Sequence, residues 1–231
     1  MTRRPSRAQP GLSVEETFHA DGLTVAGIDE VGKGAWAGPL VVGIAVVPKH
    51  AYGGTVPSEV RDSKTMSEKS REAAFDVVRD WSSAWSTGWA TSRECDELGM
   101  ADAQRLACRR AIESLSVPVD VAIVDGRWDF VSPEIPVVEM RIKADRDCAS
   151  VAAASVLAKV TRDRHMRELA VHYPYWSFES NKGYPCGLHR AGLHAWGASH
   201  EHRTSWAFMD TCVPWAGANR RERRGSQGRL F

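Results

Sequence analysis

At 231 residues the chain is long enough for one large domain and falls short of the ~250 residues beyond which cores usually divide. A hydrophobic share of 43%, a charged share of 26% and a formal net charge of +1 are those of a globular domain and argue against a uniform basic coat for nucleic acid. Five cysteines, odd in number and without a CxxC pair, give neither a disulfide framework nor a zinc ribbon, and no run approaches the ~18 apolar residues of a membrane span, so a soluble cytoplasmic protein is expected.

Residues 1–20 are rich in Arg, Pro and Ser without periodicity and are expected to form a flexible lead-in, with order beginning near Leu23. LTVAGID and PLVVGIAVVP are β-branched runs separated by VGKGAWAG, a connection short enough to favour antiparallel neighbours. SEKSREAAFDVVRDW has apolar residues at helical spacing, with Ser67 offering a cap, and WSSAWSTGWAT alternates large and small residues as a third strand would. MADAQRLACRRAIESL reads as an amphipathic helix ending before Pro118. VDVAIVDG and IPVVEMRI both carry the signature of buried strands. From Cys148 an Ala-rich run without Gly or Pro predicts a long helix, and a shorter one covers Leu188 to Trp196. The pattern implies an α/β layer architecture, a mixed sheet with helices on its faces. The expected division is a catalytic domain over 21–213 and a basic tail over 214–231.

Three strand ends carry acids: Asp29 and Glu30 in GIDE, Asp125 in IVDG, and Asp145 after MRIKAD. A carboxylate following an apolar strand is costly if unpaired, and several converging carboxylates repel one another unless divalent cations neutralise them. All-oxygen donors suit Mg²⁺ or Mn²⁺, and two such ions ~3.5–4 Å apart would support phosphodiester hydrolysis by water. Taken singly, each acid could instead cap a turn, which is common for Asp-Gly. Asp62, Asp129, Asp147 and Asp163 are assigned to solvated or structural roles. Gly27, Gly32 and Lys33 also satisfy the spacing of a phosphate-binding GxxxxGK loop, the basis of an alternative reading as a P-loop nucleotide hydrolase. Gly34 stands where that loop needs Ser or Thr, and two acids lie where phosphates would be cradled.

The segments GIDEVGKGAWAGPLVVGIAV, DSKTMS, VDGRW, KADRDCASVAAASVLAKVTRD and NKGYPCGLHRAGLHAWGASHEHRTSW resemble, in order, the motifs of ribonuclease HII, the type 2 ribonuclease H. The resemblance implies an RNase H-like mixed five-stranded sheet flanked by helices, with a helical C-terminal extension. It implies endonucleolytic cleavage of RNA in RNA–DNA hybrids and of single ribonucleotides embedded in duplex DNA, as in ribonucleotide excision repair. The family's metal-site acids fall on Asp29, Glu30, Asp125 and Asp145. Gly32, Lys33 and Gly34 occupy the place of its Gly-Arg-Gly, whose backbone reads the ribose 2′-hydroxyl, and Tyr184 matches the tyrosine that stacks on the adjoining deoxynucleotide sugar. Lys33 for Arg exchanges a bidentate phosphate ligand for a point charge. Cys186-Gly187 departs from the family's usual Thr-Lys. Lys64, Lys143, Lys182 and Arg203 are candidate phosphate contacts. The type 3 ribonuclease H, which carries an N-terminal binding domain, is disfavoured because about 25 residues precede GIDE. A catalytically inactive hybrid-binding module is disfavoured by the four intact acids.

The C-terminal third holds six of the histidines at spacings that match no zinc pattern, so packing or surface roles are expected of them. Gln227, Leu230 and Phe231 reproduce the Gln-x-x-Leu-Phe spacing of peptides that dock into the bacterial sliding clamp. Two apolar anchors at the tip of a polar tail have little use in folding. A monomer is expected.

Overall fold

A computed structural model describes residues 9–215. The chain runs α1 (Ser13–His19), β1 (Val25–Val31), β2 (Leu40–Val46), α2 (Glu68–Trp81), β3 (Ala84–Ala90), α3 (Ser92–Glu113), β4 (Val121–Asp125), β5 (Val137–Arg141), α4 (Ala144–Asp147), α5 (Ala149–His172), α6 (Phe178–Asn181), α7 (Gly187–Trp196) and α8 (Phe208–Cys212). The strands form one five-stranded sheet in the order β3-β2-β1-β4-β5, antiparallel among the first three and parallel from β1 to β5. The short VGKGAWAG connection makes β1 and β2 antiparallel neighbours, as its length predicts. The intervening helix α3 allows β4 to return parallel to β1.

Strand alternation divides the core between two faces. Ala26, Ile28, Leu40, Val42 and Ile44 meet Ala103, Ala107 and Ala111 of α3 on one side. On the other, Ala45 and Val47 meet the alanine run of α5 and the apolar face of α2. A Cβ on Gly27 would lie 2.1 Å from the Ser150 carbonyl carbon. Glycine there lets α5 lie against the backbone of β1. Asp29, two residues on, therefore points to the same face as Gly27, beneath α5.

The Ser67 hydroxyl accepts the Ser70 N–H at 3.1 Å and starts α2 as its sequence predicts. Helix α3 begins eight residues before the predicted Met100, behind a capping box of Thr91 and Glu94, and Gly99 (φ 77°) interrupts its helical backbone. Two further expectations are corrected. Residues 13–19 are helical, not a structureless lead-in, and Glu15 is fully buried, its Oε1 accepting the backbone N–H of Ser150 at 2.9 Å and its hydroxyl at 2.7 Å. This carboxylate sits on the first turn of α5, where a negative charge is favoured. Strand β5 is not buried: it is the sheet edge, with Val137 and Met140 each 42% exposed.

Candidate active site

β1 and β4 pair in parallel with Ile28 beside Val124, which brings Asp29 and Asp125 next in line. Val121 and Ile123 pack with Val151 of α5, so by alternation Asp125 faces the same side as Asp29. Asp125 Oδ1 accepts the Ala144 N–H at 3.0 Å and so holds the turn that delivers Asp145. Lys143 precedes that turn in the left-handed region (φ 64°) and is exposed. Asp145 is buried, and its Oδ2 receives Lys64 Nζ at 3.2 Å. Asp29 Oδ1 accepts the Glu30 N–H at 2.9 Å. The Ser155 hydroxyl of α5 also bonds the Asp29 carboxylate and shares a 2.8 Å hydrogen bond with Ser63.

Burial pushes the Asp29 carboxyl up to about 7, and the charges of Glu30 and Asp125 add to the rise against the opposing Ser155 bond and Lys64. Lys64 is pulled down by partial burial, but Asp29, Asp145 and Asp125 outweigh that and hold its ammonium above the ordinary lysine value. Among the described residues no three acids close round a common point as a preformed metal cage. The donors nevertheless fit divalent cations: all are hard carboxylate oxygens, three from the ends of paired strands and Asp145 from the turn of α4, and Asp29 is buried beside the like charges of Glu30 and Asp125.

Beside the acids, Gly32 adopts φ 88°, and a Cβ there would meet Arg162 Nε at 2.4 Å and the Pro39 carbonyl at 2.6 Å. Only glycine fits that turn. The Gly32 N–H donates to the Tyr184 hydroxyl at 3.0 Å, joining two residues 152 positions apart. Lys159 Nζ and Arg162 Cζ lie 5.4 and 5.3 Å from the Tyr184 ring centre. Arg162, fully buried, donates to the carbonyls of Pro39, Ala37 and Lys182 at 2.8, 3.1 and 2.9 Å. Lys33 is exposed and lies 3.6 Å from Glu30 Oε1, and Gly34 is exposed next to it.

Two candidate phosphate contacts are corrected. Arg203 is fully buried and donates to the carbonyls of Lys33 and Gly38, each at 3.1 Å, so it clamps the Gly-Lys-Gly loop from behind. Burial pulls its guanidinium down to about 10. Lys182 is 4% exposed, with its ammonium 3.1 Å from Glu68 Oε1 and also bonded to the Glu179 carbonyl. In this structure both charges are turned to protein acceptors. Asp62 and Asp163 have structural roles: Asp62 caps the turn bearing Lys64, and Asp163 binds Lys159 at 2.7 Å beneath Arg71. The P-loop alternative fails because the loop runs from β1 into antiparallel β2 instead of opening a helix whose N-terminus would hold phosphate.

Residues 26–209 match the family model described as Ribonuclease HII. The chain belongs to the ribonuclease HII family. It is 42% identical over 212 residues to the ribonuclease HII of Streptomyces griseus, covering 89% of this chain and 87% of the relative. It is 41% identical over 194 residues to that of a Thermus thermophilus strain, covering 84% and 91%. The crystal structure of ribonuclease H2 from Pyrococcus horikoshii OT3 superposes with a TM-score of 0.70 at 26% identity, over 84% of this chain and 99% of that one. The protein is thus a type 2 ribonuclease H, a hydrolase with the RNase H fold.

Motif inspection missed Ser155, Arg162 and Glu15. Ser155 and Arg162 lie inside the α5 motif but reach the site only through the packing of that helix on β1. Glu15 lies in a stretch with no periodic signal.

Proposed function

We propose that this ribonuclease HII cleaves the RNA strand of RNA–DNA hybrids, and single ribonucleotides embedded in duplex DNA, on the 5′ side of the ribonucleotide. The products carry 5′-phosphate and 3′-hydroxyl ends. The observation that carries this reading is the placement of Asp29, Glu30 and Asp125 at the ends of paired strands, with Asp145 on the turn that Asp125 holds, and with Asp29 buried beside the charges of Glu30 and Asp125. These four would hold two divalent ions, Mg²⁺ or Mn²⁺, which when bound activate water and stabilise the leaving oxygen. No protein nucleophile is needed.

The chain's own residues position the substrate. The backbone of Gly32, Lys33 and Gly34, fixed from behind by Arg203 at the Lys33 carbonyl, presents itself to the ribose 2′-hydroxyl. Tyr184, tied to Gly32, supplies the face for the adjoining deoxynucleotide sugar. Lys64, Lys143 and Lys33 supply cations to phosphates. The sliding-clamp contact of Gln227, Leu230 and Phe231 falls outside the described residues and stands as a proposal on its spacing alone.

The deciding experiment incubates wild type and Asp29→Asn with duplex DNA carrying one ribonucleotide, with and without Mg²⁺ or Mn²⁺. Metal-dependent cleavage by the wild type only is expected. Cleavage that persists in the variant, or without metal, refutes the mechanism. Metal-dependent cleavage of long hybrids alone removes the single-ribonucleotide claim.

A further inference from the structure

Trp128 lies three residues beyond Asp125, on the loop that leaves β4, and is 36% exposed. The chain is fixed immediately after it. Phe130 and Val131 are buried at 2% and 0%, and Asp129 Oδ1 accepts the Val131 and Ser132 N–H groups at 2.8 and 3.0 Å. A large indole is therefore held at the surface by an ordered turn.

Two cations already lie against that ring. Lys33 Nζ is 5.6 Å from its centre, and Arg105 Cζ, from α3, is 5.0 Å away. Both are weakly held otherwise: Lys33 pairs with Glu30 at 3.6 Å with its side chain 47% exposed, and Arg105 pairs with Asp102 at 3.1 Å with both side chains open to water. Exposed pairs of this kind exchange readily for a better anion. Arg127, next in the chain, is exposed beside them. Asp129 Oδ1 is committed to the turn, and its carboxylate lies close enough to Arg105 to feel that charge.

An aromatic face rimmed by exposed cations suits the backbone of a nucleic-acid strand: the ring takes a sugar face and the cations take phosphates. Lys33 connects this surface to the Gly-Lys-Gly loop, so the platform continues the acidic site across the end of the sheet toward α3. We propose that Trp128, Lys33 and Arg105 form a contact surface for the substrate duplex flanking the cleaved residue. The proposal rests on the reading of the chain as a nuclease acting on RNA–DNA duplexes.

The test compares wild type, Trp128→Ala, Trp128→Phe and Arg105→Gln in steady-state cleavage of an RNA–DNA hybrid, with thermal melting of each as a folding check. Trp128→Ala is expected to raise KM roughly tenfold with kcat within about threefold of wild type, and Trp128→Phe to recover most of the loss. Arg105→Gln is expected to lower the slope of log KM against log salt by about one, as for one lost phosphate contact. Unchanged KM in both Trp128→Ala and Arg105→Gln overturns the proposal, as does a fall in kcat at constant KM. Should the wild type itself leave the hybrid uncut, it is the functional reading that fails, independently of Trp128.

Discussion

His202 and His189 share a hydrogen bond between their Nε2 atoms at 2.9 Å, inside a cluster of Trp176, Phe178 and Phe208. The direction of each proton follows from the outer partners. The Ser199 N–H donates to His202 Nδ1 at 2.9 Å, so neutral His202 carries its proton on Nε2 and donates to His189. His189 then carries its proton on Nδ1 and gives it to the Tyr184 carbonyl at 2.9 Å. Two neutral rings thus connect the C-terminal loop to Tyr184, and a proton added to either breaks the chain.

Burial pulls His202 down to about 3, helped by His189, and burial also lowers His189. A folded-state histidine below its unfolded value of ~6.5 stabilises the fold fully above that pH and loses the contribution as pH falls toward the folded value. For His202 this costs about 1.4 kcal/mol per pH unit between ~6.5 and its folded value. Asp29 and Glu15, raised by burial, act in the opposite sense, so the informative quantity is a difference. Denaturant melts of wild type and His202→Gln between pH 7.5 and 5 are expected to converge as pH falls. Parallel curves would mean that the pair is not neutral.

Asp29 carries a stability cost alongside its proposed role. Its folded carboxyl titrates near 7 against an ordinary 3.8, so the fold loses stability as pH rises through that window and the loss is complete above it. In EDTA at pH 8, Asp29→Asn removes the charge and keeps most of the shape. Its melting temperature is expected to rise by roughly 2–8 °C, the shift given by about 1–2 kcal/mol in a domain of this size. Nuclease activity with metal is expected to fall at least a hundredfold. A lower melting temperature in EDTA would show that the carboxylate is better satisfied than its burial implies.

The tail hypothesis is separable from the site. Removal of residues 227–231 is expected to abolish retention on immobilised sliding clamp while leaving kcat/KM on a short duplex within about twofold. Retention that survives the truncation would assign the Gln-x-x-Leu-Phe spacing to chance.

The juxtaposition of Asp29 and Asp125 was legible because strand ends announce themselves locally: an apolar run, then Asp, with alternation choosing the face. Asp29 and Asp125 needed only the sheet order to meet. Arg203 and Lys182 were not legible, since nothing local distinguishes a cation at the surface from one aimed inward at carbonyls 165 positions away, as Arg203 is toward Gly38. Glu15 failed for the same reason, its partner Ser150 lying 135 residues further on. Strand β5 has a buried composition at the edge of the sheet, where burial depends on what packs over it and not on its own residues.

The clamp on the Gly-Lys-Gly loop gives the sharpest contrast between charge and geometry. Arg203 reaches the Lys33 and Gly38 carbonyls with two different nitrogens, and its own N–H binds the Trp36 carbonyl at 2.8 Å. Arg203→Lys keeps the charge but has one nitrogen where two are needed, and leaves a buried carbonyl without its donor. Such a loss costs about 1–3 kcal/mol. Because Lys33 is one of the two acceptors, the loop proposed to face the ribose loosens with it. The variant is expected to melt earlier and to lose kcat/KM on a ribonucleotide-containing duplex by tenfold or more. Were Arg203 instead a phosphate ligand, the melting temperature would hold and the loss would fall on KM.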